Sequence, residues 1–195
     1  MVMLIHHPNT RSSRFVFLLE ELGAPYELRT LGDMGDPANP HPHKKFPALL
    51  DDGALVFESS AIALYLTDKF PQNKLGPLPG EAQRGAYLSW LAYYCGVMEP
   101  AWVMAFFNVE LPRVAPGWPP VAEVLAHIVA TLERGPYMLG DAFSAVDVLV
   151  GTTFAMFMGG PTLPKTPLLE AYVQRVLGRP AYARAMEKAG DTPRQ

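Results

Sequence analysis

Apolar and polar positions change their period twice near the start of the chain. Residues 1–5 are mostly apolar, which predicts a first strand buried on both faces. From Ser12 to Leu22 apolar side chains recur at helical spacing and Gly23 follows as a stop, so we expect a helix there. Alternation over residues 26–30 predicts a second strand. A strand, a helix and a strand in this order form a βαβ unit, which requires a parallel strand pair.

A hairpin and a helix start lie close together between Phe46 and Leu66. The Asp-Asp-Gly turn at 51–53 separates two short apolar segments, so two antiparallel strands are expected. Apolar residues then take helical spacing after Glu58 and Ser59, which predicts a helix that begins at or near Ser59. The first module therefore has the predicted order β-α-β, loop, β-β-α.

Long helical patterns without strand alternation follow a linker rich in proline and glycine. We predict a long helix over residues 82–107 that is interrupted or kinked near Pro100, because an internal proline cannot continue the hydrogen bonding of a helix. Further helices are expected over 121–132, 144–157, 167–177 and 181–188. The domain prediction is an α/β domain over 1–72, a linker over 73–80 and an all-α helical bundle over 81–195.

The composition describes a globular protein and narrows its partners. Apolar residues make up 49% of the 195 residues, and the net charge is −3. Such a charge provides no electrostatic footprint for nucleic acid or for an anionic membrane, so we expect neither partner. No apolar run approaches the ~18 residues that cross a bilayer, and the N-terminus lacks the pattern of a secretory signal. The single cysteine, Cys95, rules out an internal disulfide framework, and we expect a cytoplasmic location.

The helix start at Ser59 suits an amino-acid head group. Its unpaired N–H groups and positive dipole end favour a carboxylate, and Glu58 beside it could hold the ammonium group of the same ligand. An ordinary helix cap with an acidic neighbour explains the same residues. A cis peptide bond between Phe46 and Pro47 would turn the Phe46 backbone toward a peptide-like ligand, whereas a trans proline would simply begin the strand.

The turn at residues 9–13 is a second candidate site. Its hydroxyl and N–H groups could hold an anion or lower the pKa of a thiol, or they could only cap the first helix. Two histidine pairs, His6-His7 and His41 with His43, could suggest a metal site. No matching Cys, His or carboxylate set accompanies them, so we predict no metal.

Four separated segments match the signature of one family, in the right order. They are residues 19–23, Phe46-Pro47-Ala48-Leu49 with the 51–53 turn, Glu58-Ser59 leading into a helix, and 140–147, where Ser144 and Asp147 match a helix capping pair. On these residues the chain resembles the glutathione S-transferase superfamily, bacterial cytosolic type, over essentially its full length. The resemblance implies a thioredoxin-like N-terminal domain, an all-α C-terminal domain and a glutathione co-substrate bound at their junction.

The resemblance also assigns roles to individual residues. Pro47 would follow a cis peptide bond, and the Phe46 backbone would pair with the cysteinyl part of glutathione. Glu58 and Ser59 would hold the γ-glutamyl group, and Lys45 would meet the glycyl carboxylate, with Lys44 as the poorer candidate.

The family activates the glutathione sulfur with a Tyr, Ser or Cys near the first helix. This chain has neither Cys nor Tyr at residues 6–14, and the cysteine of one bacterial subgroup would fall near Arg11. The hydroxyl would then belong to Ser12 or to Thr10, with Ser12 narrowly preferred and Asn9 as a supporting donor. Either hydroxyl would act by hydrogen-bonding the thiolate and lowering its pKa.

The function that the resemblance implies is a glutathione transferase with a role in detoxification. Bound glutathione thiolate would attack a small hydrophobic electrophile, and the protein would be a homodimer. One alternative is a non-catalytic or stress-related binding protein with the same fold; another is glutathione-dependent isomerisation, dehalogenation or disulfide reduction. Aromatic and methionine side chains over 93–106, where the electrophile pocket of the family would open, are more often core than binding site.

Overall fold

A four-stranded mixed sheet organises the N-terminal part of the computed structural model, which describes residues 1–110 and 117–191. The strands are β1 (Val2–His6), β2 (Tyr26–Thr30), β3 (Ala48–Asp51) and β4 (Ala54–Phe57), in the spatial order β2-β1-β3-β4. β1 pairs parallel with β2 and antiparallel with β3, and β3 and β4 form the hairpin. The predicted β-α-β, β-β-α order is confirmed. The first four residues of β1 are apolar, as expected for a strand inside the sheet, and His6, its last residue, is polar and buried.

Eight α-helices lie within the described residues. They are α1 (Ser13–Leu22), α2 (Ser59–Lys69), α3 (Arg84–Tyr93), α4 (Glu99–Phe106), α5 (Val121–Leu132), α6 (Ala145–Phe157), α7 (Pro167–Leu177) and α8 (Pro180–Ala189). The break predicted near Pro100 is present but has a different form. A π-helical turn, Tyr94–Met98, joins α3 to α4, and Pro100 lies in the first turn of α4, where its missing N–H is not needed.

The last helix does not belong to the helical unit. The described chain divides into one unit made of Met1–Gly76 with the chain from Gly178 onward, and a second made of Pro77–Leu177. The predicted all-α domain over 81–195 therefore differs from the structure at its C-terminal end, because α8 packs on α1. Buried alanines of α8 let the two helices approach closely, and Tyr182 meets the Phe17 ring edge-on at 5.3 Å between centroids.

The second unit is built around α6, which is buried along most of its length. At Gly151 an added Cβ would lie only 2.7 Å from the Val176 side chain, so glycine permits the close approach of α7. Ser144 and Asp147 form the capping box that the sequence predicted at the start of α6. Within the described residues, no helix is both long enough and apolar enough to cross a membrane.

Candidate functional site

The cis peptide bond that the resemblance implied is present between Phe46 and Pro47. Phe46 is buried and packs in a core cluster with Ile5, Leu31 and Ala48, so the side chain anchors the loop while the backbone makes the turn. The following residue, Ala48, begins β3 and pairs with Phe57 at the end of β4. Pro47 and Glu58 therefore flank the same end of the hairpin.

Glu58 has a strained backbone at the start of α2. Its φ of 74° and ψ of 132° are rare for a residue with a side chain, and its carbonyl accepts the first helical hydrogen bond, from Ile62, at 3.0 Å. Ser59, the first residue of α2, is buried, whereas the Glu58 side chain is exposed. Strained backbone of this kind persists only where the surrounding contacts enforce it, and it clusters at active sites and ligand-binding sites.

The two lysines before Pro47 have different surroundings. Lys44 Nζ donates to the backbone oxygens of Asn39 at 2.6 Å and Pro37 at 3.3 Å, so this ammonium group supports its own loop. The Lys45 side chain is exposed. Burial lowers the pKa of His41, the charge of Glu58 opposes that shift, and the charge of Lys45 adds to it.

A hydroxyl cluster follows β1 at the same edge of the sheet. Ile5 of β1 pairs with Ala48, so the turn that leaves β1 lies beside the start of β3, and the His7 ring meets the Phe46 ring at 5.6 Å between centroids. Thr10 Oγ1 and Ser12 Oγ lie 2.7 Å apart. Thr10 is partly exposed, but Ser12 is fully buried.

Ser12 makes its hydrogen bonds inside the protein. Its Oγ lies 2.8 Å from His6 Nδ1 and 3.2 Å from both the backbone nitrogen and the backbone oxygen of His7. The His6 ring is also fully buried, and its Nε2 lies 2.8 Å from the carbonyl oxygen of Ala189, at the end of α8.

The direction of these hydrogen bonds follows from the Ala189 carbonyl, which can only accept. The pKa of His6 is lowered, chiefly by burial, so the ring is neutral and Nε2 carries its one proton. His6 Nδ1 is then an acceptor and takes the Ser12 hydroxyl proton. The Ser12 oxygen can in turn accept from the Thr10 hydroxyl, which has the His7 carbonyl at 2.7 Å as a second acceptor.

Asp191, which follows α8, holds the turn at residues 9–13 through two hydrogen bonds. Asp191 Oδ1 accepts a hydrogen bond from the Asn9 backbone N–H at 2.6 Å and another from the Ser13 hydroxyl at 2.9 Å. Asn9 has a φ of 59°, a left-handed conformation that asparagine tolerates better than most residues. His6, Ala189 and Asp191 were not predicted as site residues. A histidine at the end of an apolar strand was the only signal in the sequence, since Ala189, the partner of its Nε2, lies 183 positions away.

Three of the six aromatic and methionine side chains over 93–106 are core. Tyr94, Met98 and Trp102 are buried, whereas Phe106 is 54% exposed and Phe107 beside it is 68% exposed. Val103 and Val109 add to this exposed apolar surface of the second unit. Across residues 1–110 and 117–191, no three His, Cys, Asp or Glu side chains are grouped so that they could hold a metal ion.

Sequence comparisons identify related proteins along most of the chain. A family profile described as the N-terminal domain of glutathione S-transferase matches residues 8–74. The chain is 39% identical to glutathione S-transferase 3 of Schizosaccharomyces pombe over 98 residues, which are 48% of this chain and 40% of that protein. It is 30% identical to the probable glutathione S-transferase GSTU6 of Oryza sativa subsp. japonica over 182 residues, with 83% of this chain and 77% of the relative covered.

Solved structures agree with that result. A glutathione transferase from Methylococcus capsulatus superposes with a TM-score of 0.80 at 29% identity, covering 97% of this chain and 99% of the other. A sphingomonad glutathione S-transferase complexed with glutathione superposes with a TM-score of 0.73 at 26% identity, covering 96% and 98%. The predicted fold, a thioredoxin-like N-terminal domain followed by a helical C-terminal domain, is confirmed.

Proposed function

Because the chain belongs to the glutathione S-transferase family, we propose that it binds glutathione on its first unit and transfers it to a small hydrophobic electrophile. The observation that carries this proposal is the meeting of three features at one edge of the sheet. These are the cis bond before Pro47, the strained Glu58 at the start of α2, and the hydroxyl turn after β1.

The binding roles divide by the parts of glutathione. The Phe46 backbone, turned by the cis bond, pairs with the cysteinyl amide groups. The α2 N-terminus at Ser59 and the Glu58 carboxylate hold the carboxylate and ammonium groups of the γ-glutamyl residue. Lys45 faces the glycyl carboxylate, since Lys44 already donates to its own loop. Asn9 borders the same edge from the turn after β1 and serves as a supporting donor.

Thr10 is the better candidate for the hydroxyl that meets the sulfur. Ser12, the preferred residue from the sequence, is fully buried, and its one proton goes to His6 Nδ1. Thr10 is partly exposed and can turn its proton toward a thiolate without opening the protein. In this assignment the buried Ser12 hydroxyl forms a hydrogen bond with Thr10 and does not touch glutathione.

The second substrate is a small apolar electrophile. The second unit has exposed apolar side chains, among them Phe106 and Phe107, whose rings are in edge contact at 5.1 Å between centroids. Covering this surface with an apolar ligand would be favourable in free energy. A homodimer, a detoxification role and a cytoplasmic location remain proposals that rest on the family resemblance and on the single cysteine. Light scattering on the purified protein tests the dimer.

The hydroxyl assignment is tested by comparing wild type, Thr10→Ala and Thr10→Ser. All three should be retained on immobilised glutathione. Thr10→Ala should lose about 10- to 100-fold in kcat/KM toward an activated aryl chloride, because a hydrogen bond to a charged partner is worth about 1.5–3 kcal/mol. Thr10→Ser should keep most of the rate.

Thr131→Ala is the matched control, since this exposed hydroxyl only bonds the His127 carbonyl within α5. Its kinetics should match wild type. Full activity in Thr10→Ala would contradict the assignment of Thr10. Retention on glutathione without turnover by the wild type would favour the non-catalytic alternative, and failure of retention would overturn the proposed function.

A further inference from the structure

A buried hydrogen-bonded chain leads from the surface of the first unit to its interior. It runs from Thr10 Oγ1 to Ser12 Oγ over 2.7 Å, from Ser12 Oγ to His6 Nδ1 over 2.8 Å, and from His6 Nε2 to the Ala189 carbonyl over 2.8 Å. Thr10 is the partly exposed end, while Ser12 and His6 are fully buried.

Each link of the chain can take the polarity that proton transfer needs, although the His7 carbonyl, 2.7 Å from Thr10 Oγ1, competes with Ser12 for the Thr10 proton. The Ala189 carbonyl fixes the proton of the neutral ring on Nε2, so His6 Nδ1 presents a lone pair to the Ser12 hydroxyl. Ser12 donates to that lone pair and can accept from Thr10. The outermost oxygen, Thr10 Oγ1, accepts from the Ser12 backbone N–H at 3.3 Å and keeps its second lone pair for a donor from outside.

We propose that His6 is the internal acceptor of the glutathione thiol proton, which reaches it through Thr10 and Ser12. This inference rests on the proposed function, because it requires glutathione sulfur at Thr10. His6 and Ser12 do not touch the substrate and act through Thr10, so they are positioning residues.

The step balances as three coupled proton shifts. The S–H bond of glutathione breaks and a new O–H bond forms on Thr10, the former Thr10 proton passes to Ser12, and the former Ser12 proton forms an N–H bond on His6 Nδ1. The products are a thiolate and an imidazolium, with no net change of charge. The proton that Thr10 receives points back at the sulfur, so one transfer creates both the thiolate and the hydrogen bond that stabilises it.

The surroundings of His6 supply the means to hold the added proton. The imidazolium would donate from Nε2 to Ala189 and from Nδ1 to Ser12, so both donors keep acceptors. Burial lowers the pKa of His6 most; of the titratable groups that act on the ring, Asp191 after α8 raises this pKa and His7, the residue after β1, lowers it. Ser12, the residue before α1, contributes an uncharged hydroxyl to the ring. The charge of a new thiolate adds to the effect of Asp191 and favours the imidazolium.

When the electrophile consumes the thiolate, the proton returns by the same path. His6 releases it to Ser12, Ser12 to Thr10, and Thr10 to the leaving group or to water at the surface. The neutral ring with its proton on Nε2 is thereby restored for the next cycle.

Nitrogen NMR of protein labelled with ¹⁵N-histidine tests the proposal directly. Free wild type should show His6 as a neutral ring protonated on Nε2. Saturation with glutathione at neutral pH should convert the same ring to an imidazolium, whereas S-methylglutathione, which has no thiol proton, should bind and leave it neutral. His6→Gln assigns the signal.

Calorimetry in buffers of different ionisation enthalpy provides the second measurement. Ultraviolet absorbance counts the thiolate formed on binding, and calorimetry counts the protons released to the buffer. Wild type should form thiolate with well under one proton released for each thiolate. In Ser12→Ala, which interrupts the chain, any remaining thiolate should release its proton in full.

The outcomes separate the two proposals. If neither glutathione nor S-methylglutathione binds, the proposed function fails. If glutathione binds as thiolate while the His6 ring stays neutral and one proton appears in the buffer, the proposed function stands and the internal acceptor is overturned. The calorimetric readout on the wild type needs no His6 variant, so the test does not depend on whether that variant folds.

Discussion

At the scale of single residues, Glu58 combines a structural cost with a proposed binding role. Its positive φ is of the kind that costs about 1–3 kcal/mol in a residue with a side chain. Glycine would take the same conformation without strain, so stability alone does not select glutamate here. The carboxylate is the property that glycine lacks.

We therefore expect Glu58→Gly to separate stability from binding. The variant should keep its stability or gain about 1 kcal/mol, since relief of strain outweighs the greater entropy of the unfolded chain. Its affinity for glutathione should fall about tenfold or more, because the ammonium group loses its partner. Urea unfolding and calorimetry measure the two effects. Lys74→Gly, at an exposed residue with a φ of 52°, is the control and should change stability alone. Unchanged affinity in Glu58→Gly would contradict the role of the carboxylate.

At the scale of secondary-structure elements, the start of α6 depends on one carboxylate. Asp147 accepts hydrogen bonds from the Met138 N–H, from both the N–H and the hydroxyl of Ser144, and from the Tyr172 hydroxyl. Burial raises the pKa of Asp147 to about 6, and these four donors oppose the shift. The carboxylate ties α6 to the loop before it and to α7.

Asp147→Ala should destabilise the protein by about 3 kcal/mol or more, because it leaves buried N–H groups without an acceptor. Ser144→Ala removes a single capping hydroxyl and should cost about 1 kcal/mol. Glu123→Ala, an acidic residue in the first turn of α5 with an exposed side chain, should cost less than either. Denaturant unfolding gives the order of the three, and equal losses would show that the four hydrogen bonds are not the cause.

The elements that local pattern controls were predictable from the sequence. Strand period, the 51–53 turn and the capping pair at Ser144 and Asp147 each follow from neighbouring residues, and the structure has them where expected. The π-helical turn at Tyr94–Met98 was not predicted, because apolar residues continue through it at nearly helical spacing. The positive φ of Glu58 was also not predictable from the sequence, since glutamate rarely adopts that conformation.

At the scale of the whole molecule, α8 follows the second unit in the chain but completes the first unit, which begins at Met1. α1 is buried on nearly every side, which the sheet alone cannot achieve. α8 covers the remaining face and forms ion pairs with Glu20, and Arg179, the residue before α8, donates two hydrogen bonds to Glu21 at 2.6 and 2.8 Å. The pairing of His6 with Ala189 and the packing of α8 on α1 were not predictable from local pattern, because the partners are more than 150 positions apart in the chain.

Substitution within the α8 interface should loosen the first unit. Ala185 is fully buried, so Ala185→Asp places a charge against α1, and we expect faster hydrogen exchange in α1 and β1 together with a lower midpoint of thermal unfolding. Exchange followed by mass spectrometry locates the effect. Glu187→Ala, on the exposed side of α8, should match wild type. Unchanged protection of α1 in Ala185→Asp would mean that α8 is not needed to hold it.

The position of α8 in the chain also sets an order of events during synthesis. A ribosome makes the whole of Pro77–Leu177 between the end of the first segment and the start of α8, which takes roughly 5–20 s at ~5–20 residues per second. For that interval the apolar face of α1 has no cover, and the turn that contains Thr10 lacks its anchors at Ala189 and Asp191. The nascent N-terminal unit can therefore complete its folding only after the helices that follow it have been translated. Until then its exposed apolar helix face favours binding by chaperones.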